Sequence, residues 1–416
     1  MTRGVSAIAM ALLFLAPARS VAQNVGAAPL PAEVTLDQVL VIMNERSPRV
    51  AADRASIKVA EAERITAQTL PNPSLSYGGT HLVSGLSTGA VTQHQFVYEQ
   101  PLLMGHQRPA REAAADLNVA AERARVDETL AQRRLAVRQA FASLLSRQQQ
   151  LQVSQQSLSD LERVVQVVRG RAEAGERSRY DVARVDTETE TLRVEIMNAE
   201  ADVAEAAGRL ATLLGLPGWS PRAVGTLEPV DIPTESDQLW SIATTRRPSL
   251  VALRQQQAAS QGGIQLARRE RSPVPVVSGG AQLTRDVSGT SAFFGLSLPL
   301  PVFDKNQGAI AKAEAQLDAD TLTLTAELEE TRASVEQAGK TLLARRQALE
   351  RLEGSVVQHI PVLRQMAEDA YREGSGDILD LLDAMRSQRS IQISHVQQLE
   401  SVKLAEEAVR AVTGLE

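Results

Sequence analysis

Apolar residues recur at a seven-residue spacing along two tracts of the chain, and polar side chains fill most positions between them. In the first tract the recurring residues are Leu151, Leu158 and Val165. The second seam consists of Leu349, Leu352, Val356, Leu363, Met366 and Ala370. An apolar seam at this spacing lets two helices pack side by side as a coiled coil. The pattern therefore predicts paired long helices in both tracts.

The distribution of proline sets the length of these helices. The stretch 109–214 has proline only at its first residue, and the stretch 305–413 contains only Pro361. Proline breaks helix interiors, and both stretches are rich in residues that favour helix. Each is predicted to be a helical hairpin whose first helix is about 100 Å long. Gly175 and Gly374 mark the predicted tips, because tight turns need positive φ angles.

Two shorter stretches, about 73–100 and about 274–300, show the two-residue alternation that is typical of β-strands. Loops rich in Gly, Ser and Thr divide each stretch, so each is predicted to be a β-hairpin. Aromatic residues at strand ends form the interfacial bands of outer-membrane proteins. The predicted membrane-interface aromatics are Tyr77, Phe96, Tyr98, Phe293 and Phe294.

These elements belong to a repeat of about 200 residues. Pro101-Leu102-Leu103 corresponds to Pro301-Val302-Phe303, and Ser47-Pro48 corresponds to Arg247-Pro248. Landmarks in the same order with a nearly constant offset indicate an internal duplication. Each copy is predicted to contain a helix, a β-hairpin and a long helical hairpin.

The predicted domain organisation follows from this duplication. The first structural repeat is expected over 23–215 and the second over 236–416, with opening helices at about 35–69 and 236–271. The stretch 216–235 contains four prolines and two glycines and is predicted to be the linker. The predicted fold class is mainly α with a small β part.

Composition narrows the classes of function. The 416 residues include only 2 Trp, 4 Tyr and 6 Phe, too few for compact enzyme domains with aromatic cores. The chain has no Cys, which excludes disulfides and thiolate metal sites. Its net charge of −6 does not match the basic footprint of nucleic-acid binding. No catalytic motif or metal-ligand spacing is present, so we expect no enzyme activity, metal site or cofactor.

The first 22 residues are predicted to be a cleaved secretory signal peptide. Arg3 precedes a 12-residue apolar stretch, and Ser20 and Ala22 place small residues at the −3 and −1 positions. The apolar stretch is too short to span a bilayer as a helix. The mature chain is expected to be exported without lipidation. Any membrane role would then use interfacial contact or a β-barrel.

Four predicted strands cannot close a barrel by themselves. Open strand edges are not viable in lipid, so several chains would have to pool their strands. Three chains would supply 12 strands, and the same axis would arrange their helices as a tube. A small soluble sheet packed on helices is the alternative that the pattern leaves open.

Particular motifs connect this plan to a known family. They are Pro71-Asn72-Pro73, Phe303-Asp304-Lys305-Asn306-Gln307-Gly308, and Tyr371-x-x-Gly374 followed by Asp377-Ile378-Leu379-Asp380. With the duplication, the chain resembles TolC-type outer-membrane efflux factors over nearly all of its mature length. The first two motifs look most like the heavy-metal (cobalt-zinc-cadmium) subgroup. The resemblance implies a homotrimer with a 12-stranded outer-membrane β-barrel, continued by a periplasmic α-helical barrel.

The resemblance also implies partners and a passive role. It implies an inner-membrane pump of the resistance-nodulation-division (RND) class, outer-membrane lipid, and a periplasmic adaptor (membrane fusion) protein that docks at Gly175 and Gly374. The expected function is the outer-membrane channel of a tripartite efflux system for heavy-metal cations. The alternatives are a duct for type I protein secretion or multidrug efflux, and a soluble periplasmic coiled-coil scaffold or adaptor.

In the resembled family, acidic and tyrosine residues near the tips close the periplasmic end. Matched by motif, these are Asp181, Tyr371, Asp380 and Asp383. A ring of three carboxylates on a symmetry axis favours cations. Acidic residues in the first turn of a helix also favour its dipole, so simple capping is the alternative. Gly376 stands where a basic residue would lock the gate, so the latch is expected to differ.

Overall fold

The computed structural model describes residues 29–85, 92–174, 178–284 and 289–415. The predicted signal peptide and the first predicted tip glycine, Gly175, lie outside the described residues. The described chain is mainly helical, with a four-stranded sheet and a short two-stranded pair. This composition confirms the predicted fold class.

Each half of the chain follows one plan of short helices, a β-hairpin and a long helical hairpin. The first half contains β1 (Glu33–Val34), α1 (Leu36–Arg46), α2 (Pro48–Gln68), β2 (Ser74–His81), β3 (Thr92–Pro101), α3 (Gln107–Glu173) and α4 (Arg179–Leu214). The second half contains β4 (Arg222–Ala223), α5 (Ser236–Arg246), α6 (Pro248–Glu270), β5 (Val276–Thr284), β6 (Thr290–Ser297), α7 (Gln307–Leu352), a π-helical turn (Glu353–Val357), α8 (Ile360–Glu373) and α9 (Ile378–Thr413).

The opening helix of each half is broken in two, where the sequence predicted one helix over 35–69 and one over 236–271. Pro48 and Pro248 are the first residues of α2 and α6, and the residue before each has an extended backbone. Proline lacks an N–H to donate, and its ring disfavours helical backbone in the preceding residue. The helix therefore ends before each proline and begins again at it.

The two β-hairpins join edge to edge into one antiparallel sheet with the strand order β2-β3-β5-β6. β3 and β5 pair from Gln93 opposite Thr284 to Pro101 opposite Val276. β2 and β6 are the edges, and neither has a second strand partner in the described part of the chain. The sheet thus joins the two halves at one end of the molecule.

α3 is the central helix of the long bundle. It packs against α2 and α6 on the side of the sheet and against α4 and α9 on the side of the tips. α7 packs against α6 and α9, and α8 packs against α9. Near the tips, one apolar cluster joins Leu161 and Val185 of the first hairpin to Ile378 and Leu382 of the second. Within the described ranges, no helix is both long and apolar enough to cross a membrane.

The π-helical turn at Glu353–Val357 shifts the apolar seam of the second hairpin by one residue. The seven-residue pattern placed Leu363 and Met366 on the seam, but both are exposed. Ala367 and Tyr371 contribute to the apolar cluster near the tips instead. Because a π turn adds one residue to a helical turn, every side chain beyond it is rotated around the helix.

The linker between the halves is held by a buried ion pair. Glu406 of α9 is 0% exposed and accepts a hydrogen bond from the backbone N of Val230 at 2.7 Å. Arg346 of α7 lies 3.5 Å from the same carboxylate and donates to the backbone O of Ile232 at 3.2 Å. Buried charges are costly unless they are paired and hydrogen-bonded. These contacts therefore fix the linker against α7 and α9.

We expect Gly414→Ala to destabilise the chain more than Gly218→Ala. Both glycines have left-handed backbone, with φ of 73° and 78°. A Cβ on Gly414 would lie 2.4 Å from the backbone O of Arg246, whereas one on Gly218 would meet open space. Left-handed backbone costs alanine about 1–2 kcal/mol, and the clash adds to this at Gly414. Denaturant unfolding of both variants measures the difference, and equal losses would contradict a tight junction at Gly414.

Candidate functional site

One face of the sheet carries most of the apolar strand residues. Antiparallel pairing places Tyr77 opposite Phe96, and their ring centroids are 5.0 Å apart. A neighbouring row across the four strands consists of Leu75, Tyr98, Gly279 and Phe294. Residues directly opposite in antiparallel strands point to the same face. Four of the five predicted interface aromatics therefore lie on one face of the sheet.

Phe293 lies on the opposite face, so it does not join the other four aromatics. Successive residues of a strand point to opposite sides, and Phe293 pairs with Gly280. Its ring covers that glycine, since a Cβ on Gly280 would lie 2.7 Å from Phe293 Cζ. Phe293 is therefore separated from the face that carries the other four predicted aromatics.

The apolar face of the sheet is exposed. Its exposed members are Leu75, Tyr77, Phe96, Tyr98, Val277, Leu283, Phe294 and Leu296. Phe294 reaches 94% exposure, and the opposite face consists mainly of Ser, Thr and Gln. A continuous exposed apolar patch indicates a surface that contacts a membrane or another protein.

Two histidines lie on the apolar face towards the β2–β3 loop. His94 Nδ1 is 2.8 Å from Tyr77 Oη, and His81 Nδ1 is 2.8 Å from Thr92 Oγ1. No group of three or more His, Cys, Asp or Glu that could hold a metal ion occurs among the residues described. Each of the two contacts links β2 to β3.

The turn between α8 and α9 forms the second tip. Gly374 ends α8 with a φ of 79°, and the N–H groups of Ser375 and Gly376 donate to the backbone O of Ala370 at 3.0 and 2.9 Å. Glycine adopts this backbone without strain, and the bonds satisfy the last carbonyls of the helix. A Cβ on Gly376 would lie 3.1 Å from Ala370 Cβ. The turn therefore packs closely at Gly376, where a side chain would crowd Ala370.

Two of the residues predicted to close the periplasmic end are buried in the bundle. Tyr371 lies under Arg171 of α3, whose guanidinium is 5.6 Å from the ring centroid and donates to the backbone O of Tyr371 at 2.9 Å. Asp181 lies in the first turn of α4, and its backbone N donates to Ser178 Oγ at 3.3 Å. Tyr371 thus links the two hairpins, and Asp181 lies at the helix start.

The other two predicted gate residues are exposed. Asp380 accepts a hydrogen bond from the backbone N of Asp377 at 3.4 Å and completes a capping box at the start of α9. Asp383 lies one turn further along the same helix. The capping bond gives Asp380 a local role, and the exposure of both carboxylates leaves them accessible to a neighbouring chain.

Two arginines of the second hairpin reach buried carboxylates of the first, and we call these pairs the inter-hairpin clamp. Arg386 of α9 forms a bidentate pair with Glu188 of α4, in which Nε donates to Oε1 at 2.8 Å. Arg364 of α8 pairs with Asp160 of α3. Asp160 and Glu188 are only 7% and 6% exposed. The four residues border a cavity of about 40 Å³ between the hairpins.

The sequence pattern does not predict this clamp. Each pair joins residues about 200 positions apart, at 160 with 364 and at 188 with 386. A partial signal is present at Asp160, which lies between Leu158 of the seam and the apolar residue Leu161. Charged residues beside an apolar seam often form pairs between helices. The seam alone does not reveal which arginine is the partner.

Both clamp carboxylates are held in the charged form. Burial favours a higher pKa for Asp160, but the hydrogen bond and charge of Arg364 outweigh it and lower the pKa below its usual 3.8. The hydrogen bond from Arg386 lowers the pKa of Glu188 below its usual 4.5, against the effect of burial. The clamp therefore stabilises the hairpins while these carboxylates are ionised.

We expect the end of the bundle near the tips to be acid-labile. A carboxylate with a lowered folded-state pKa contributes stability above its unfolded-state pKa and loses it as the pH falls through the lowered value. Protease sensitivity of the hairpins should therefore rise as the pH falls below about 4, the ordinary pKa of Asp and Glu carboxyl groups. The glutamine in Glu188→Gln cannot ionise. The protease sensitivity of this variant should therefore be higher at neutral pH and change less as the pH falls. The same pH profile in both proteins would contradict the role of Glu188.

Comparison with known families gives two matches along this chain. A family model described as "Outer membrane efflux protein" matches residues 39–216 and again residues 239–415. Each match spans one half of the chain, with its β-hairpin and its helical hairpin. The two matches together cover well over half of the sequence.

Two individual proteins are similar to the chain over most of their length. The cobalt-zinc-cadmium resistance protein CzcC of Cupriavidus metallidurans is 26% identical over 395 residues, covering 91% of this chain and 92% of CzcC. The pyoverdine export outer membrane protein OpmQ of Pseudomonas putida is 24% identical over 396 residues, covering 87% of this chain and 83% of OpmQ. The names of these two proteins refer to different cargoes.

The fold also has a solved counterpart. A structure of CusC, described in connection with folding and transmembrane channel formation, aligns with a TM-score of 0.75. The alignment covers 95% of each chain at 17% sequence identity. At this identity the likeness establishes a shared fold.

Proposed function

Because the chain belongs to the outer membrane efflux protein family, we propose that it is the outer-membrane channel of a tripartite efflux system. It would be a passive duct that receives cargo from a periplasmic adaptor and an inner-membrane pump of the RND class. The observation that carries the proposal is the exposed apolar sheet face at one end of a bundle whose helix α3 has 67 residues. Such a helix is about 100 Å long, which suits a periplasmic conduit.

The open edges of the sheet support a homotrimer. β2 and β6 present unpaired backbone groups, which lipid cannot satisfy. If β6 of one copy pairs with β2 of the next, three copies close 12 strands into a barrel. The apolar face would then meet outer-membrane lipid, and the helices would continue the barrel as a tube through the periplasm.

We propose heavy-metal cations as the cargo. The support is the similarity to CzcC along nearly the whole chain, together with the Pro-Asn-Pro and Phe-Asp-Lys-Asn-Gln-Gly motifs. The similarity to OpmQ makes a duct for other exported compounds the second candidate. Deletion of the gene should lower the concentrations of cobalt, zinc and cadmium that stop growth. Unchanged metal tolerance with lost tolerance to organic compounds would favour the second candidate.

The residues near the tips are proposed to form the periplasmic gate and docking site. Asp380 and Asp383 are exposed beside the second tip, which suits a ring of carboxylates in a trimer. Tyr371 and Asp181 would hold the hairpins behind that ring, and Gly374, with Gly175 on the other hairpin, would meet the adaptor. Asp380→Ala with Asp383→Ala should raise single-channel conductance and reduce cation selectivity in planar bilayers. Unchanged conductance and selectivity would remove these two aspartates from the gate.

Fractionation and cross-linking test the function as a whole. We expect the mature chain in the outer-membrane fraction, and we expect cross-linking in whole cells to yield a trimer. Recovery of a monomer from the soluble periplasm would overturn the proposal. That result would favour a soluble periplasmic coiled-coil scaffold or adaptor.

A further inference from the structure

A cavity lined by arginine lies where the two halves of the chain meet beside α3. It has a volume of about 350 Å³ and is bordered by α1, α3, the α5–α6 junction and the end of α9. Its charged lining residues are Arg134, Arg138, Arg246, Arg410 and Glu407. The first half of the chain supplies Arg134 and Arg138, and the second half supplies Arg246 and Arg410.

Glu407 contacts two of these arginines. Its carboxylate is 3% exposed, with Oε2 3.7 Å from Arg138 Nη1 and Oε1 3.9 Å from Arg410 Nε. Arg134 and Arg246 form no ion pair with any residue in the described part of the chain. Two of the guanidinium groups that line the cavity, those of Arg134 and Arg246, therefore have no acidic partner in this part of the chain.

Glu128 and Glu327 form no ion pair with Arg134 or Arg246 in the part of the chain that the structure describes. Glu128 is six residues before Arg134, which is about 9 Å along the helix. Glu327, on the neighbouring α7, is already paired with Arg247 at 3.0 Å. Neither of these carboxylates therefore neutralises Arg134.

We propose that this cavity binds a small soluble oxyanion that carries two or more negative charges. Guanidinium groups present planar pairs of N–H donors that match the oxygens of such an anion, and a concave site strengthens their field. The volume suits a small ligand. A bound anion would join Arg134 and Arg138 of the first half to Arg246 and Arg410 of the second.

The position of the cavity favours an anion from solution over a lipid headgroup. Arg134 is 27 residues beyond Gln107, the first residue of α3, and so lies about 40 Å from the end of the helix beside the sheet. With the sheet in the membrane, as in the proposed function, a phospholipid headgroup would not reach this level. Inorganic phosphate is therefore the appropriate probe.

Calorimetric titration of the purified full chain in detergent tests the site. Titration with sodium phosphate should show saturable binding. Titration with sodium chloride of equal ionic strength is the control and should show none. Arg134→Gln with Arg246→Gln should weaken phosphate binding at least about ten-fold, because both unpaired guanidinium groups are lost. Arg49→Gln with Arg345→Gln removes the same charge from two arginines that do not line the cavity, and this variant should bind phosphate as the wild type does. No saturable binding to the wild type, or equal weakening in both double variants, would overturn the proposal.

Thermal unfolding separates a lost ligand from a damaged fold. In chloride, the Arg134 and Arg246 double variant should unfold at the wild-type temperature or above it, because like charges no longer repel each other. Phosphate should raise the unfolding temperature of the wild type by more than it raises that of the double variant, whose increase measures the non-specific effect of phosphate. A much lower unfolding temperature of the variant in chloride would assign both arginines to packing and overturn the proposal. If phosphatidylglycerol vesicles compete with phosphate for the cavity, the proposal of a soluble anion as the ligand would be overturned.

Discussion

Phe96→Arg is expected to keep the chain out of the outer membrane, whereas Gln95→Arg is expected to leave its assembly unchanged. Phe96 belongs to the exposed apolar face and pairs with Tyr77 on one side and Ala281 on the other. An arginine on the lipid face of a membrane barrel costs about 2–4 kcal/mol near the bilayer midplane. Three copies would each bear this cost in the proposed trimer. Membrane fractionation and the yield of cross-linked trimer measure the loss.

Gln95→Arg is a closely matched control. It adds the same side chain to the same strand, one residue earlier, and both positions pair with the same two neighbouring strands. Gln95 points to the polar face, since successive strand residues alternate. If both variants reach the membrane equally, the apolar face does not meet lipid. If both fail, the strand tolerates no added charge and the result says nothing specific about Phe96.

Arg386→Ala is expected to loosen the two hairpins near the tips and to raise the conductance of the channel. The substitution leaves the buried carboxylate of Glu188 without its bidentate partner. Breaking a fully buried pair costs about 3–5 kcal/mol. The loss here should be nearer about 2 kcal/mol, because the Arg386 side chain is 41% exposed and water screens it. Single-channel recording and limited proteolysis at neutral pH measure the effect.

Two further variants test whether the clamp acts through its buried charge. Glu188→Gln with Arg386→Gln removes both charges and keeps side chains that can hydrogen-bond, so it should recover part of the lost stability. Arg193→Ala removes an exposed arginine of α4 that pairs with Glu190 and Glu162, and it should change neither conductance nor proteolysis. An equal effect of Arg193→Ala would show that any lost ion pair on this hairpin has the same result.

The fold class and the family could be predicted because their signals are local or repeated. Proline at 48 and 248, together with the proline-free tracts, limits where helices begin and end, and alternation identifies the strands. The breaks before Pro48 and Pro248 were visible in principle, since proline restricts the residue before it. However, the apolar pattern continues across both prolines, and this continuity favours a single helix over each stretch.

The shifted seam and the clamp could not be predicted from local pattern. Nothing in the composition of Glu353–Val357 distinguishes a π turn from an ordinary helical turn. The seven-residue pattern therefore predicts an unchanged apolar seam beyond this turn. The partners of Asp160 and Glu188 depend on how the two hairpins pack in space. Phe293 is a different case, because the alternation of strand residues already places it and Phe294 on opposite faces of the sheet. A prediction based on residue type alone does not distinguish these two faces.

The π turn limits the symmetry of the assembled channel. His106 and Asn306 immediately precede α3 and α7 and have nearly identical left-handed backbone, at φ of 59° and 60°, so the two halves enter the bundle alike. In the proposed trimer, the sheet end would therefore have pseudo-sixfold symmetry. α3 remains α-helical from Gln107 to Glu173, whereas the second half changes register at Glu353–Val357. Below that level only true threefold symmetry remains, and three of the six hairpins differ from the others in the way they approach the axis.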